Sequence, residues 1–361
     1  MEVTRAEPVG SLLRPDELKR AREEHDAGRL DHSAFKAAED RAAAEAIDLQ
    51  ERAGLDVVTD GEMRRGHFTG NLSEAIDGMG DVPAAGHDWH GSDELKFAHK
   101  KAVVDKLRRS RSLAQEEFVF LRARASRPVK MTLPSPLMMQ TFWSPEHSTA
   151  AYGDPFEMFA DAAAILREEI ADLYALGCDY FQIDAPELAL MVDESVKEAF
   201  RARGIDPDRM LAEGIEIIDS VASLPGPRYG LHMCRGNRDG HWMAAGGYDP
   251  IAEAIFQRTP NFSTYFLEYD DERSGGFEPL RDVPEDAFVF LGLVSSKRPE
   301  LEDDAELLAR IDDASGFFPR ERLGLSPQCG FASTIGGNPL TVDEEEAKLR
   351  LVADVAARAW A

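Results

Sequence analysis

His232 and Cys234 stand one residue apart, and Cys329 follows far downstream in the phrase Ser326-Pro327-Gln328-Cys329-Gly330-Phe331. On an extended strand alternate side chains point the same way, so His232 and Cys234 can grip one ion together. One nitrogen and two sulfurs select Zn²⁺ over hard cations, and three protein ligands from distant segments leave a fourth position for chemistry. A thiol arriving there, with a free pKa of about 8.5, is fully deprotonated near neutrality, and the zinc-bound thiolate is then the nucleophile. The plainer alternative is a pair of buried cysteines packed as small hydrophobes beside a hydrogen-bonded core imidazole. Where these residues sit within the repeating pattern of the chain separates the two.

Short runs rich in Val, Ile, Leu and Phe alternate with long amphipathic stretches, as repeated βα units do. Candidate strands run from Val3 to Val9, Leu55 to Thr59, Val129 to Leu133, Tyr180 to Ile183, Tyr229 to Met233, Ser263 to Leu267, Phe288 to Leu293 and Leu323 to Pro327. Eight strands close a (β/α)8 TIM barrel, so a single α/β catalytic domain over residues 1–361 is expected. Pro15 before Asp16-Glu17-Leu18 predicts a helix start, and Gly54 caps a predicted helix from Ala38 to Ala53. Phe156 to Leu176, ending at Gly177, and Asp343 to Trp360 are further helices. Residues 63–128, after the second strand, form a long insertion with Gly78-Met79-Gly80, Gly86-His87-Asp88-Trp89-His90 and a basic run from Lys96 to Arg111. A connection of that length is expected to cap the barrel mouth.

Barrel enzymes carry their chemistry at the carboxyl ends of the strands, and polar residues appear there strand after strand. The first ends in Gly10-Ser11, the second in Asp60-Gly61-Glu62, the third in Pro134-Ser135 and the fourth in Asp184. His232 and Cys234 end the fifth, Glu268 the sixth, Ser295-Ser296-Lys297 the seventh and Cys329 the eighth. Glu268 reads either as a displaceable fourth zinc ligand or as a solvated strand-end acid. Glu62 and Asp184 suit the ammonium of an amino-acid substrate, with Ser11 and the backbone after Gly10 taking its carboxylate. The alternatives are a tight turn at Gly10 and salt bridges from the two acids to Arg64 or Arg65. Trp143 offers a flat face for a heterocycle or is simply core. Cys178, on the amino side of a strand, reads as a core thiol.

The three cysteines are too few for a disulfide framework, which suits a reducing, cytoplasmic setting. With 67 acidic against 41 basic residues the formal charge is -26, which argues against nucleic acid or an anionic membrane as partner. Nothing near the N-terminus reads as a cleavable leader, and no run approaches the roughly 18 apolar residues of a membrane span. A homo-oligomer is left open.

With these residues assembled, the chain resembles the cobalamin-independent methionine synthase family, specifically its C-terminal catalytic barrel. The matching phrases are Val9-Gly10-Ser11, Leu55-Asp56-Val57-Val58-Thr59-Asp60-Gly61-Glu62, Gln182-Ile183-Asp184-Ala185-Pro186, His232-Met233-Cys234, Glu268 and Cys329. The resemblance implies Zn²⁺ on His232, Cys234, Glu268 and Cys329, homocysteine held by Ser11, Glu62 and Asp184, and a pterin stacked on Trp143. The implied reaction is methyl transfer to the homocysteine sulfur, giving methionine. Two departures bear on the methyl donor. The second, N-terminal barrel of full-length members has no counterpart in this sequence. The family's Asp-x-His-Ser at the seventh strand end reads Val294-Ser295-Ser296-Lys297 here, so its histidine proton donor has no match. A methylfolate, a methylcorrinoid or another small donor could serve. Other expectations are a zinc-dependent alkyltransferase on a different thiol, such as an epoxyalkane to coenzyme M transferase, and a metal-free barrel of the uroporphyrinogen decarboxylase type.

Overall fold

The computed structural model describes residues 3–89 and 92–361. The side chains of 84–99, with them His87, Asp88 and Trp89, lie outside the described residues, as does His90. The insertion folds as a long antiparallel pair, β1 (Ile76–Trp89) and β2 (Ser92–Arg109), with register shifts between Asp77 and Met79 and between Asp81 and Ala85. It leans on the outer helix Pro155–Ala175. Arg109 reaches Asp172 at 2.6 Å, and the amide of Leu107 donates to the Tyr152 hydroxyl at 2.7 Å.

Six further strands lie side by side in chain order and all parallel: β3 (Met131–Pro134), β4 (Tyr180–Asp184), β5 (Arg228–Met233), β6 (Thr264–Glu268), β7 (Phe288–Val294) and β8 (Leu323–Pro327). Helices cover their outer face and side chains fill the inside, so these strands are buried on both sides and read as near-continuous hydrophobic runs. Two short segments close the ring. The Leu325 amide donates to Arg5 O at 2.7 Å, the Asp56 amide to Ala6 O at 2.9 Å, and the Lys130 amide to Val58 O at 3.0 Å. The result is an eight-membered (β/α)8 barrel.

The first two expected strands shrink to single bridges, Ala6 with Leu325 and Val58 with Val129. The reason is local: the Asp56 carboxylate accepts from the amides of Arg5 (2.6 Å) and Ala6 (2.9 Å), and Pro8 has no N–H to give. The helices fall close to their predicted spans. The helix His32–Ala53 starts six residues before the expected Ala38, because Asp31 caps it by accepting from the Ala34 amide, and it ends at Gly54 with φ of 89°. Val342–Ala359 opens on a reciprocal cap between Thr341 and Glu344.

The amino end of the barrel is plugged by a buried polar cluster. Glu7 accepts from Lys130 Nζ (3.1 Å), the Tyr180 hydroxyl (2.9 Å) and Thr4 Oγ1 (2.6 Å), while Arg228 lies 3.4 Å away. Lys130 also donates to Pro8 O at 2.8 Å and stands 3.9 Å over the Phe266 ring. Phe266 stacks on Phe290 just above.

Candidate metal centre and substrate cavity

The carboxyl ends of the strands surround a cavity of about 500 Å³. His232 is the next-to-last residue of β5, Cys234 lies one residue past that strand, and Cys329 lies two past β8. Alternation along β5 turns Met233 into the core and sends His232 and Cys234 the same way. Cys329 arrives on the loop that follows β8. Their ligand atoms all lie within 4.8 Å of one another, and all three residues are buried.

His232 Nδ1 faces Phe266 O at 3.3 Å, while its buried Nε2 has no hydrogen-bond partner of ordinary geometry among the described residues. A hydrogen bond from Cys234 holds the Cys329 thiol well below the ordinary cysteine range against the cost of burial, and His232 adds to this. The same contact, with burial, pushes Cys234 up. Burial alone would lower the His232 imidazole, but the hydrogen bond and charge of Cys329, with Asp184 and Glu268 near, raise it. A cation arriving here would find one nitrogen and two sulfurs already gathered. An imidazole nitrogen facing two sulfurs in a buried group fits Zn²⁺.

Glu268 ends β6, fully buried, yet stands outside this trio. Its Oε2 accepts from the Arg235 amide at 2.6 Å, and its Oε1 receives Lys297 Nζ at 3.0 Å and Arg273 at 3.3 Å. Burial opposes its charge, but Lys297, Arg235 and Arg273 overcome that and keep its carboxyl below the usual range.

Gly10, Ser11, Glu62 and Asp184 line the same cavity as the trio. Glu62 has φ of 57°, a left-handed backbone that only glycine adopts freely, and such strain collects at functional sites. Its Oε1 accepts from Thr132 Oγ1 at 2.8 Å and lies 3.5 Å from Arg65, so the salt bridge is present. Arg65 is nonetheless mainly engaged with Glu117, at 2.6 Å, and Glu62 Oε2 is buried with no partner among the described residues. A Cβ at position 10 would press to 2.8 Å from Glu62 Oε1, so glycine there lets backbone and carboxylate meet. Asp184 sits opposite His232 in the register and accepts from Gln182 at 2.7 Å. Burial pushes its carboxyl up to about 7, with His232 pulling down and Glu62 pushing further up.

Trp143 is not brought to the cavity. Its indole packs into the hydrophobic core, with Nε1 donating to Arg203 O at 2.9 Å. The apolar wall comes instead from Met138, Leu190, Val196, Phe200 and Met243, with Phe68 at the mouth. Of the described residues of the insertion, His67 and Phe68 reach the lining and the β1–β2 pair does not. Cys178 is a core thiol, as expected, its pKa pushed up to about 12 by burial.

Sequence reasoning missed Glu187, which lines the cavity from the short helix Pro186–Leu190. It missed Asn237 as well. Asn237 donates to Gly330 O at 2.5 Å and accepts from Asn338 at 2.8 Å, tying the loop after β5 to the one after β8.

Fold and rim together describe a (β/α)8 barrel whose carboxyl end gathers two thiols and an imidazole beside buried acids. The chain belongs to the family described as the cobalamin-independent synthase, catalytic domain, whose model matches residues 4–358. Members of this family are methyltransferases. The chain is 38% identical to the uncharacterized Bacillus subtilis protein YxjH over 99% of its own length and 94% of the relative's. It is 26% identical to the methionine synthase of Pyrococcus abyssi, over 89% of this chain and 84% of that one. Among solved structures, a putative vitamin-B12 independent methionine synthase from Listeria monocytogenes superposes with a TM-score of 0.75 at 28% identity, each chain covered in full. Among the described residues no helix is long and apolar enough to cross a membrane.

Proposed function

We propose that this enzyme methylates the thiol of homocysteine to give methionine, in a zinc-dependent reaction that takes its methyl group from a methylated folate. The observation that carries the reading is the gathering of His232, Cys234 and Cys329 within 4.8 Å in the same cavity as Glu62 and Asp184. Zn²⁺ on those three residues, with Glu268 next to them as the displaceable fourth, would supply an ionised thiol at neutral pH.

The chain's own groups do the rest. Ser11 and the backbone at Gly10 take the amino-acid carboxylate. Glu62 Oε2 and Asp184 take the ammonium, and a cation arriving beside Asp184 draws off the proton that burial lets it keep up to about pH 7. Holding both ends of the amino acid fixes where its sulfur sits, which converts an encounter into an oriented approach. The apolar wall of Met138, Leu190 and Phe200 excludes water from the other half of the cavity, and a volume of about 500 Å³ is in the range of small-molecule sites.

The test is to incubate the zinc-loaded protein with homocysteine and methyltetrahydrofolate and to follow methionine by mass spectrometry. Methionine should form, and a chelator should stop it. Alkylation of thiols that lack an amino group, with homocysteine left untouched, would overturn the assignment.

A further inference from the structure

Glu187 is a buried acid with one oxygen occupied and the other bare. It follows Asp184 by three residues, at the start of the short helix Pro186–Leu190 that passes over the cavity. The Ser135 hydroxyl has a single proton, and it gives that proton to Glu187 Oε1. The Ser135 oxygen in turn accepts from the Leu137 amide at 3.1 Å. Glu187 Oε2 is buried with no partner among the described residues. With Oε1 engaged by Ser135, Oε2 is the oxygen of this carboxyl left bare to carry or pass a proton.

We infer that Glu187 is the acid of the reaction, carrying a proton on Oε2 and giving it to the leaving nitrogen of an amine-type methyl donor. The inference rests on the methyl-transfer reading. As the carbon–sulfur bond forms, the carbon–nitrogen bond breaks and its electron pair stays on nitrogen. The proton of Glu187 then turns that nitrogen into a secondary amine and leaves a carboxylate behind.

Three features support the assignment. Burial pushes the Glu187 carboxyl up to about 8, the hydrogen bond from Ser135 pulling down only in part, so the group is neutral at neutral pH and suited to general-acid work. The charged group that acts on it is Asp184, which raises it further. At the end of β7, Lys297 Nζ is engaged with Glu268 at 3.0 Å and Asp270 at 3.5 Å and does not line the cavity.

Glu187→Gln keeps the shape and the bond to Ser135 but has no acidic proton. Methyl iodide, whose leaving iodide needs none, separates acid catalysis from packing. With methyltetrahydrofolate and homocysteine the variant should lose roughly 10²- to 10⁴-fold in kcat, the usual contribution of a positioned acid. With methyl iodide it should match the wild type. Independently of turnover, the wild-type-minus-variant infrared difference at neutral pH should show one protonated-carboxyl band, lost from the variant while those of Asp184 and Glu345 remain. Equal loss with both donors, unchanged turnover of methyltetrahydrofolate, or no missing band would each overturn the inference while leaving thiol methylation standing. A wild type that uses methyl iodide alone overturns it as well. A wild type that makes methionine from neither donor brings down the functional reading itself.

Discussion

The two ends of the barrel treat buried charge in opposite ways. At the amino end Glu7 is ringed by Lys130, Tyr180, Thr4 and Arg228, and although burial would raise its carboxyl, those cations hold it below the usual range. At the carboxyl end Glu62 Oε2 and Glu187 Oε2 are buried without partners among the described residues. Three acids there titrate high, Asp60 pushed up to about 6, Asp184 to about 7 and Glu187 to about 8, burial being the largest cause in each, while Glu268 meets cations that hold it low. A satisfied polar cluster stabilises, whereas an unsatisfied one costs stability and is kept because something else completes it. The bottom of this barrel is a plug and the rim is a receptor.

That contrast can be broken experimentally. Cys329→Ser should reduce bound zinc from about one per chain to near none and remove methyl transfer, with the far-ultraviolet spectrum unchanged; elemental analysis reads this directly. Lys130→Met, at the other end, should cost about 3–5 kcal/mol in denaturant unfolding, because it strands Glu7, while the protein that remains folded keeps its kcat. If Lys130→Met instead lost activity without losing stability, the division between the two ends would fail.

Asp184→Asn should raise KM for homocysteine by roughly 10- to 100-fold, the worth of one charge-assisted hydrogen bond, and leave zinc content unchanged. A last test, on stability and not activity, concerns Glu345, whose Oε1 accepts from the Leu13 amide at 2.9 Å and whose carboxyl burial pushes up to about 8. A raised acid keeps its proton in the folded chain after the unfolded chain has lost it, so its contribution is complete below about pH 4.5 and fades as pH climbs toward 8. Glu345→Gln should flatten that decline when unfolding is followed by urea at pH 5 and pH 8.

Much of this was legible in the sequence. β3 to β8 follow the hydrophobic runs closely, since a strand buried on both faces has to be apolar throughout. The gathering of His232, Cys234 and Cys329 was legible from the His-x-Cys alternation and the strand-end position of Cys329. The rest was obscured by physical causes. The first two strands are short because Asp56 takes the amides that a ladder would use. The β1–β2 pair carries glycines and many charges, with register shifts that break its alternation. Glu187 follows Pro186, and proline then acid reads as an ordinary helix start, so nothing in its local pattern distinguishes a cavity acid from a dipole-matching one. Trp143 shows the reverse, since aromatic character alone does not say which way a ring faces.

The closure of the ring through Ala6 and Leu325 has a consequence for the order of assembly. Residues 232 and 234 leave the ribosome almost a hundred positions before residue 329, yet the Cys329 thiol joins them only when β8 docks beside the segment around Ala6. A nascent chain therefore holds the three donors apart until β8 docks, and any metal captured by all three together would report on successful closure.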